Sequence, residues 1–188
     1  TSKLEYLIDV IQYNGDIEVT KNSFNEEGYI STITRFKNPC KEFCGVVQKT
    51  AFIDGSLPNG ERLWDIYSFY ENGTINPVKQ AKIKFNGRDR EALKDIEVYE
   101  TAYPYERHYS SPNTGVNVYC FSLDPESTQP QGSANLSRID DTGIDMNFKS
   151  MVIDEMNANN TKFRWGIYAL SNNLLRVFSG LGGLAFEQ

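Results

Sequence analysis

Hydrophobic and polar residues alternate with a period of two along much of the chain. In residues 81–85 (AKIKF) the apolar side chains fall on one face and the lysines on the other, as in a half-buried strand. Residues 144–152 repeat this alternation. The pattern predicts about ten strands in all, the others being 4–13, 17–20, 29–36, 43–48, 63–70, 116–123, 163–170 and 174–179.

Turn-forming residues separate the candidate strands. They occur at Asn14-Gly15, Asn38-Pro39, Asp54-Gly55, Pro58-Asn59-Gly60, Asn72-Gly73, Asn86-Gly87, Ser111-Pro112-Asn113 and Gln129-Pro130-Gln131-Gly132. Only residues 89–98 suggest a helix, with Leu93 and Ile96 on one side. Many short strands with almost no helix predict an all-β antiparallel sandwich or barrel in a single domain.

Two candidate strands are apolar on both faces. Residues 116–123 and 165–170 lack the alternation expected of a sandwich strand with one face in water. Their outer faces must therefore be covered. A loop or helix of the same domain could cover them, and so could a partner domain or subunit. The sequence leaves both alternatives open.

Composition and charge exclude several classes of protein. The 188 residues are 39% hydrophobic and carry a net charge of −6, which fits a folded domain and has the wrong sign for binding nucleic acid through its phosphates. The apolar stretches are far shorter than the ~20 residues of a spanning helix, so we expect no membrane insertion. Because the chain begins with Thr1 and has no secretory presequence, we expect a fragment or processed product.

Few residues could take part in catalysis, metal binding or disulfide formation. The cysteines Cys40, Cys44 and Cys120 cannot all pair within one chain, which favours a reducing compartment and buried free thiols. The Cys40–Cys44 spacing lacks two further metal ligands, since the single histidine, His108, is distant in sequence. For His108, in a tyrosine-rich segment, a structural role is favoured over general-base catalysis. We expect no catalytic residue, no metal and no cofactor.

Two further patterns carry little information. One is a group of carboxylates without the alternating spacing that directs oxygens to a calcium ion, namely Asp140, Asp141 and Asp145. The other is the N-x-[ST] sequon, which occurs at Asn72, Asn135 and Asn159. Roughly two sequons are expected by chance from this composition. The three asparagines are therefore weak candidates for glycosylation.

Longer strings resemble one family. Two segments resemble the C-terminal half of the major capsid proteins of nucleocytoplasmic large DNA viruses, namely residues 114–123 (TGVNVYCFSL) and 135–140 (NLSRID). The resemblance includes Pro104-Tyr105, His108, Pro112, Gln129-Pro130 and Gly132. Weaker matches keep the family's order across residues 1–188, at Asn38-Pro39, Lys41-Glu42, Val46-Val47-Gln48, Asn86-Gly87, Asp89-Arg90, Asn173-Leu174-Leu175-Arg176, Ser179-Gly180 and Gly183-Leu184-Ala185. The common order is what makes the resemblance specific.

The resemblance implies an eight-stranded antiparallel jelly-roll sandwich with extra short strands and at most one or two short helices. Family members carry two consecutive jelly rolls, and three copies form a pseudo-hexameric capsomer of an icosahedral shell. Residues 1–188 would be the second jelly roll, with the N-terminal jelly roll absent from this chain. The implied role is structural and not enzymatic. The implied partners are the other copies of a homotrimer, neighbouring capsomers and minor capsid proteins beneath the shell, in a virion assembled in the host cytoplasm.

The resemblance also implies a contact between jelly rolls near residues 135–140. Asn135 and Ser137 can satisfy backbone groups on an irregular path, and Arg138 and Asp140 project to the same side if the chain is extended. Two alternative functions remain open at this point. One is an assembly scaffold of the same double fold. The other is a carbohydrate-binding jelly roll, which would expose aromatic residues on a concave sheet face.

Overall fold

The protein folds into two antiparallel β-sheets with a few short helices. The structure, a computed structural model, describes residues 3–186. Its strands are β1 (Lys3–Tyr13), β2 (Ile17–Val19), β3 (Ile30–Thr34), β4 (Pro39–Lys49), β5 (Val78–Phe85), β6 (Arg88–Asp89), β7 (Lys94–Asp95), β8 (Val116–Cys120), β9 (Ala134–Asn135), β10 (Thr142–Phe148), β11 (Phe163–Phe178) and β12 (Leu181–Leu184). Its helices are α1 (Thr50–Asp54), α2 (Tyr103–Arg107) and α3 (Ser150–Asn159), with a π-helical turn at Val98–Ala102 and a 3₁₀ turn at Leu136–Arg138.

The larger sheet has the strand order β1-β11-β4-β8. The central strand β11 pairs with all 11 residues of β1 on one side and, through its first half, with β4 on the other. The short strands β2 and β12 pair with β11, and β9 pairs with β4. The first half of β11 faces the core because its alternate residues are apolar and buried, namely Phe163, Trp165, Ile167 and Ala169.

The smaller sheet has the order β3-β10-β5-β6, with β7 pairing with β5. Its inward residues pack against the larger sheet, as where the Phe148 ring meets the Phe163 ring edge-on at 5.6 Å. Helix α3 joins this core by burying Val152 and Met156. The two four-stranded paths confirm the predicted antiparallel sandwich with extra short strands. Three short α-helices accompany it, rather than one or two.

The prediction of a strand at residues 63–70 is wrong. The segment forms turns and bends. Its carbonyl groups are bound by a side chain instead of a neighbouring strand, since Gln48 Nε2 donates to the carbonyl oxygens of Leu63, Trp64 and Ile66 at 3.1, 3.2 and 2.9 Å. The alternation of residues 63–70 could not reveal this partner, which comes from β4.

The prediction of a helix at residues 89–98 is also wrong. Within this range Asp89 ends β6, Lys94 and Asp95 form β7, and helical structure begins only at Ile96. Side chains hold the segment against β5, because Lys82 Nζ donates to Asp89 at 3.0 Å and Gln80 Nε2 donates to Asp95 at 2.8 Å. A helix is found instead where alternation predicted strand, since β10 ends at Phe148 and α3 begins two residues later.

The predicted strands 163–170 and 174–179 are one continuous strand, β11. The polar residues between them resemble a turn in sequence but are buried and hydrogen-bonded within the sheet. Ser171 Oγ accepts a hydrogen bond from Gln12 Nε2 of β1 at 3.3 Å, and Asn173 Nδ2 donates to the carbonyl of Phe186 at 3.0 Å. Neighbouring strands thus satisfy polar groups that would otherwise favour a loop.

Residues of the same chain cover the two strands that are apolar on both faces. His108, which follows α2, lies over Cys120 at the end of β8. The backbone at Tyr67 approaches Gly115 so closely that a Cβ there would stand 2.1 Å from the Tyr67 carbonyl oxygen. On β11, the stacked rings of Tyr13 and Tyr168 cover Gly166. Of the two alternatives, the structure favours cover from the same domain.

Candidate functional site

The most exposed apolar surface lies on β1, the second half of β11 and β12. These strands form a three-stranded ribbon, and in β1 only Gln12 is buried. Leu181 is 79% exposed and Ile11 is 68% exposed. We call the exposed apolar side chains of this region the apolar ribbon; they are Leu4, Tyr6, Leu7, Ile11, Phe178, Leu181, Leu184 and Phe186.

The apolar ribbon has the properties of an interaction surface. Single exposed apolar residues are normal on a protein, but several on neighbouring strands mark a surface that another body covers. The strand register places Leu4, Tyr6 and Leu184 on one face of the ribbon and Leu7, Phe178 and Leu181 on the other. β1 also pairs with one strand only within residues 3–186, so it leaves a strand edge free. The sequence predicted strands at residues 4–13 and 174–179 but not β12. The exposure of these strands on both faces could not be known before the sheet order was known.

The segment 135–140 is anchored by one buried side chain and exposes the rest. Leu136 is buried, and its backbone N–H donates to the carbonyl of Asn38 at 3.1 Å. The Asn38 N–H donates to Ser137 Oγ at 2.9 Å, and the Ser137 N–H donates to Asn135 Oδ1 at 3.2 Å. These bonds agree with the expectation that short polar side chains satisfy an irregular backbone path here.

Arg138 and Asp140 are both exposed. The expectation that they project to the same side assumed an extended chain, but Arg138 ends a 3₁₀ turn. Neither residue forms an ion pair with any other residue in the described range 3–186. The role of Arg138, Asp140, Asn135 and Ser137 in a contact between jelly rolls stays a prediction.

The three sequon asparagines Asn72, Asn135 and Asn159 are all exposed. The turn at Asn72 is ordered by its own side chain, because Oδ1 accepts from Thr74 Oγ1 at 2.7 Å. Asn159 is the last residue of α3. Exposure is required for glycosylation but does not demonstrate it, and modification at these positions stays a prediction.

A polar cluster lies on the outer face of the larger sheet. Glu42 on β4 and Cys120 on β8 are directly opposite in the strand register. His108 Nε2 lies 2.8 Å from Glu42 Oε2 and 3.8 Å from Cys120 Sγ, and the sulfur lies 3.7 Å from the same carboxylate oxygen. The other ring nitrogen, Nδ1, is 2.9 Å from Glu126 Oε1. The donor set of these side chains could bind a metal ion.

Burial perturbs the acidic groups of this cluster. It raises the pKa of the Glu42 carboxyl group, against the opposing effect of His108. It also raises the pKa of the Cys120 thiol to about 12, with a further contribution from the Glu42 charge. Sequence reasoning missed this cluster because Glu42 and Cys120 are 78 residues apart and only strand pairing brings them together.

The other cysteines lie apart from the cluster. Cys40 is fully buried in the core, and Cys44 lies on β4 opposite Val118. Both are free thiols, as is Cys120. Burial raises the pKa of Cys40 to about 12 and that of Cys44 to about 11. Cys40 is buried as predicted from the sequence, whereas Cys44 and Cys120 are only partly buried.

The aspartates near residue 140 do not share one site. Asp145 is buried and pairs with Lys84 of β5, whereas Asp140 is exposed. The backbone carbonyl of Asp141 accepts a hydrogen bond from the N–H of Asn86 at 2.8 Å. Asp140 and Asp145 thus lie in different surroundings, one in solvent and one paired with a lysine inside the smaller sheet.

Several exposed aromatic residues lie outside the sheets. Trp64, Tyr105 and Tyr109 lie in loops or in α2, and Arg62 stacks over the Trp64 ring at 5.5 Å. Other exposed aromatic residues lie on the larger sheet, among them Tyr13 of β1 and Tyr168 of β11. No helix within residues 3–186 is long and apolar enough to span a membrane.

Comparison with known proteins gives one consistent family. The family described as large eukaryotic DNA virus major capsid protein matches residues 1–183. "Probable capsid protein 4" of Acanthamoeba polyphaga mimivirus is 35% identical over 193 aligned residues, covering 97% of this chain and 34% of the relative. The major capsid protein of Paramecium bursaria Chlorella virus 1 is 28% identical, covering 97% of this chain and 48% of the relative.

Solved structures share the fold. The capsid of the chlorella virus PBCV-1 matches with a TM-score of 0.73 at 23% identity, over 100% of this chain and 52% of that one. The Faustovirus major capsid protein matches with a TM-score of 0.74 at 14% identity, over 93% of this chain and 34% of that one. The chain thus spans between a third and about half of the length of these proteins.

Proposed function

The chain belongs to the large eukaryotic DNA virus major capsid protein family, and from this membership we propose that it forms part of the outer shell of an icosahedral virion. The resemblance and the jelly-roll fold predicted from the sequence are confirmed by the family match and the structural matches. The family consists of structural capsid proteins and not of enzymes. The assembly-scaffold and carbohydrate-binding alternatives receive no support from the relatives.

The proposal assigns residues 1–188 to the second jelly roll of a longer polypeptide. The supporting facts are the coverage of 34% to 52% of the relatives and the single two-sheet sandwich formed by residues 3–186. In the trimer, a jelly roll of a neighbouring copy would then supply the surface that covers the apolar ribbon. Three copies of the complete protein would form a pseudo-hexameric capsomer, with minor capsid proteins beneath it and assembly in the host cytoplasm.

The apolar ribbon is the observation that carries the assembly proposal. Burying apolar surface stabilises an interface by about 25 cal/mol per Å², and the ribbon side chains are available for this because the chain itself leaves them 46–79% exposed. The segment 135–140 is assigned to a contact between jelly rolls of the trimer. There the planar guanidinium of Arg138 can form bidentate bonds away from water.

Light scattering of the complete protein tests the proposal. We expect the complete protein to be a homotrimer. We expect Ile11→Asp to weaken the trimer because it places a charge in the apolar ribbon, which the proposal buries in the trimer. In the chain of residues 1–188 the same change should have little effect on stability, since Ile11 is already 68% exposed. Ile33→Asp, at a 58% exposed position on β3, is the matched control.

Arg138→Ala should also weaken the trimer more than it destabilises the chain of residues 1–188, with Arg88→Ala as the control at another exposed arginine. If the Arg138→Ala trimer is as stable as the wild-type trimer, Arg138 is not part of the interface. Unchanged assembly of Ile11→Asp would show that the ribbon is not a contact. A monomeric complete protein at high concentration would overturn the capsid assignment.

A further inference from the structure

The outer face of the larger sheet brings three kinds of metal-binding side chain to one point. Glu42 and Cys120 face each other across β4 and β8, and His108 lies above both of them. Their ligand atoms all lie within 4.8 Å of one another. We propose that Glu42, His108 and Cys120 bind a zinc ion.

The separations of the ligand atoms come within about 0.5 Å of those in a tetrahedral site. Zinc binds sulfur at about 2.3 Å and nitrogen or oxygen at about 2.0–2.2 Å, so ligand atoms at tetrahedral angles lie about 3.3–3.6 Å apart. The sulfur lies 3.8 Å from His108 Nε2 and 3.7 Å from Glu42 Oε2. The nitrogen and the oxygen lie 2.8 Å apart, so they must separate by about 0.5 Å. Rotations of the Glu42 and His108 side chains can supply that change.

Glu126 orients the histidine for this role. Its Oε1 lies 2.9 Å from His108 Nδ1 and also accepts the backbone N–H of Tyr109 at 3.2 Å. If Nδ1 donates its proton to Glu126, the ring presents an unprotonated Nε2 to Glu42. A metal-bound histidine commonly donates its other ring nitrogen to a carboxylate in this way. Two acceptors facing each other at 2.8 Å require a cation or a proton between them.

The surroundings hold these ligands in place. The backbone N–H of His108 donates to the carbonyl of Pro104 at 2.9 Å, which closes the end of α2. The loop that carries Glu126 is fixed on both sides, since Lys41 Nζ donates to the carbonyls of Pro125 and Ser127 at 3.2 and 3.1 Å. A site whose supporting residues are already fixed needs little reorganisation to bind.

The donor chemistry favours zinc over magnesium and calcium. A thiolate and an imidazole are soft or borderline ligands that suit zinc, whereas magnesium and calcium prefer oxygen ligands alone. Two carboxylates and a thiol around one imidazole give the cluster an excess of acidic groups. Arg107, which donates to the carbonyl of Ser122 at 3.4 Å, places one positive charge near Cys120. The ion would join β4, β8 and the end of α2, with a water molecule as fourth ligand.

Cobalt substitution tests the proposal directly. The complete protein, stripped with a chelator and titrated with Co²⁺, should bind one equivalent at this site and develop a thiolate-to-cobalt charge-transfer band that Zn²⁺ abolishes. Cys120→Ser should lose the band, whereas Cys44→Ser, a matched change of a cysteine on the same sheet, should keep it. Glu126→Gln should keep the band but weaken binding by about 10–100-fold, as expected for loss of an orienting carboxylate.

Thermal unfolding of the same variants distinguishes loss of metal binding from poor folding. Zn²⁺ should raise the Tm of the stripped wild type and of Cys44→Ser, and it should leave the Tm of Cys120→Ser and His108→Gln unchanged. A wild type with neither a cobalt band nor a zinc-dependent Tm would overturn the proposal. A band that survives in folded Cys120→Ser would equally exclude this site.

Discussion

Lys41 carries an ammonium group into the interior of the protein, where its side chain is only 2% exposed. All three of its N–H donors can be used. One binds Asp9 at 2.9 Å, and the others bind the backbone carbonyls of Pro125 and Ser127 at 3.2 and 3.1 Å. Lys41 therefore joins β1, β4 and the loop that carries Glu126.

We predict that Lys41→Met destabilises the chain mainly through the two carbonyls. A buried carbonyl left without a donor costs about 1–3 kcal/mol. This full cost applies to Pro125, whereas the carbonyl of the partly buried Ser127 can be rehydrated in part, so the two together give about 2–4 kcal/mol. Methionine preserves much of the apolar stem and avoids burying a charge, which offsets part of this cost. Asp9 can be rehydrated because 43% of its side chain is exposed. We expect a net loss of about 2–3 kcal/mol in the free energy of unfolding.

Asp9→Asn is the informative comparison. It removes the ion pair but leaves the ammonium group bound to both carbonyls and to a neutral acceptor, so the loss should be about 1 kcal/mol or less. Urea unfolding measures both changes, and with an m value of about 2 kcal/mol per M, Lys41→Met should lower the midpoint by about 1 M. A loss for Asp9→Asn as large as that for Lys41→Met would refute the reasoning, because the ion pair would then dominate.

Two further predictions concern a glycine and the thiols. Gly115→Ala should destabilise the chain by about 3 kcal/mol or more, because the added Cβ would meet the Tyr67 carbonyl oxygen at 2.1 Å. Gly73→Ala, where φ is also positive but nothing lies within 4 Å, should cost only about 1 kcal/mol, and equal losses in thermal unfolding would contradict the close approach. Cys40 and Cys44 should resist a thiol reagent near pH 8 until the chain is denatured, because burial raises the pKa of Cys40 to about 12 and that of Cys44 to about 11. Rapid modification of both thiols in the folded protein would show that these sites open.

The sequence alone determined the class of the fold and the position of most long strands. Alternation at residues 81–85 and 144–148 reports which side of a strand faces the core, a local property that each segment carries by itself. The local pattern was misleading where polar groups find hydrogen-bond partners in distant parts of the chain. Ser171 and Asn173 resemble a turn but are satisfied inside β11, and residues 63–70 resemble a strand but are bound by the Gln48 side chain.

Only the tertiary structure decided which surfaces and which side chains come together. The apolar ribbon depends on β12 and β1 flanking the same half of β11, and so on strand order. The cluster of Glu42, His108 and Cys120 depends on the register of β4 against β8 and on where α2 ends. Such contacts join residues far apart in sequence, so they follow from how the whole chain closes and not from any local pattern.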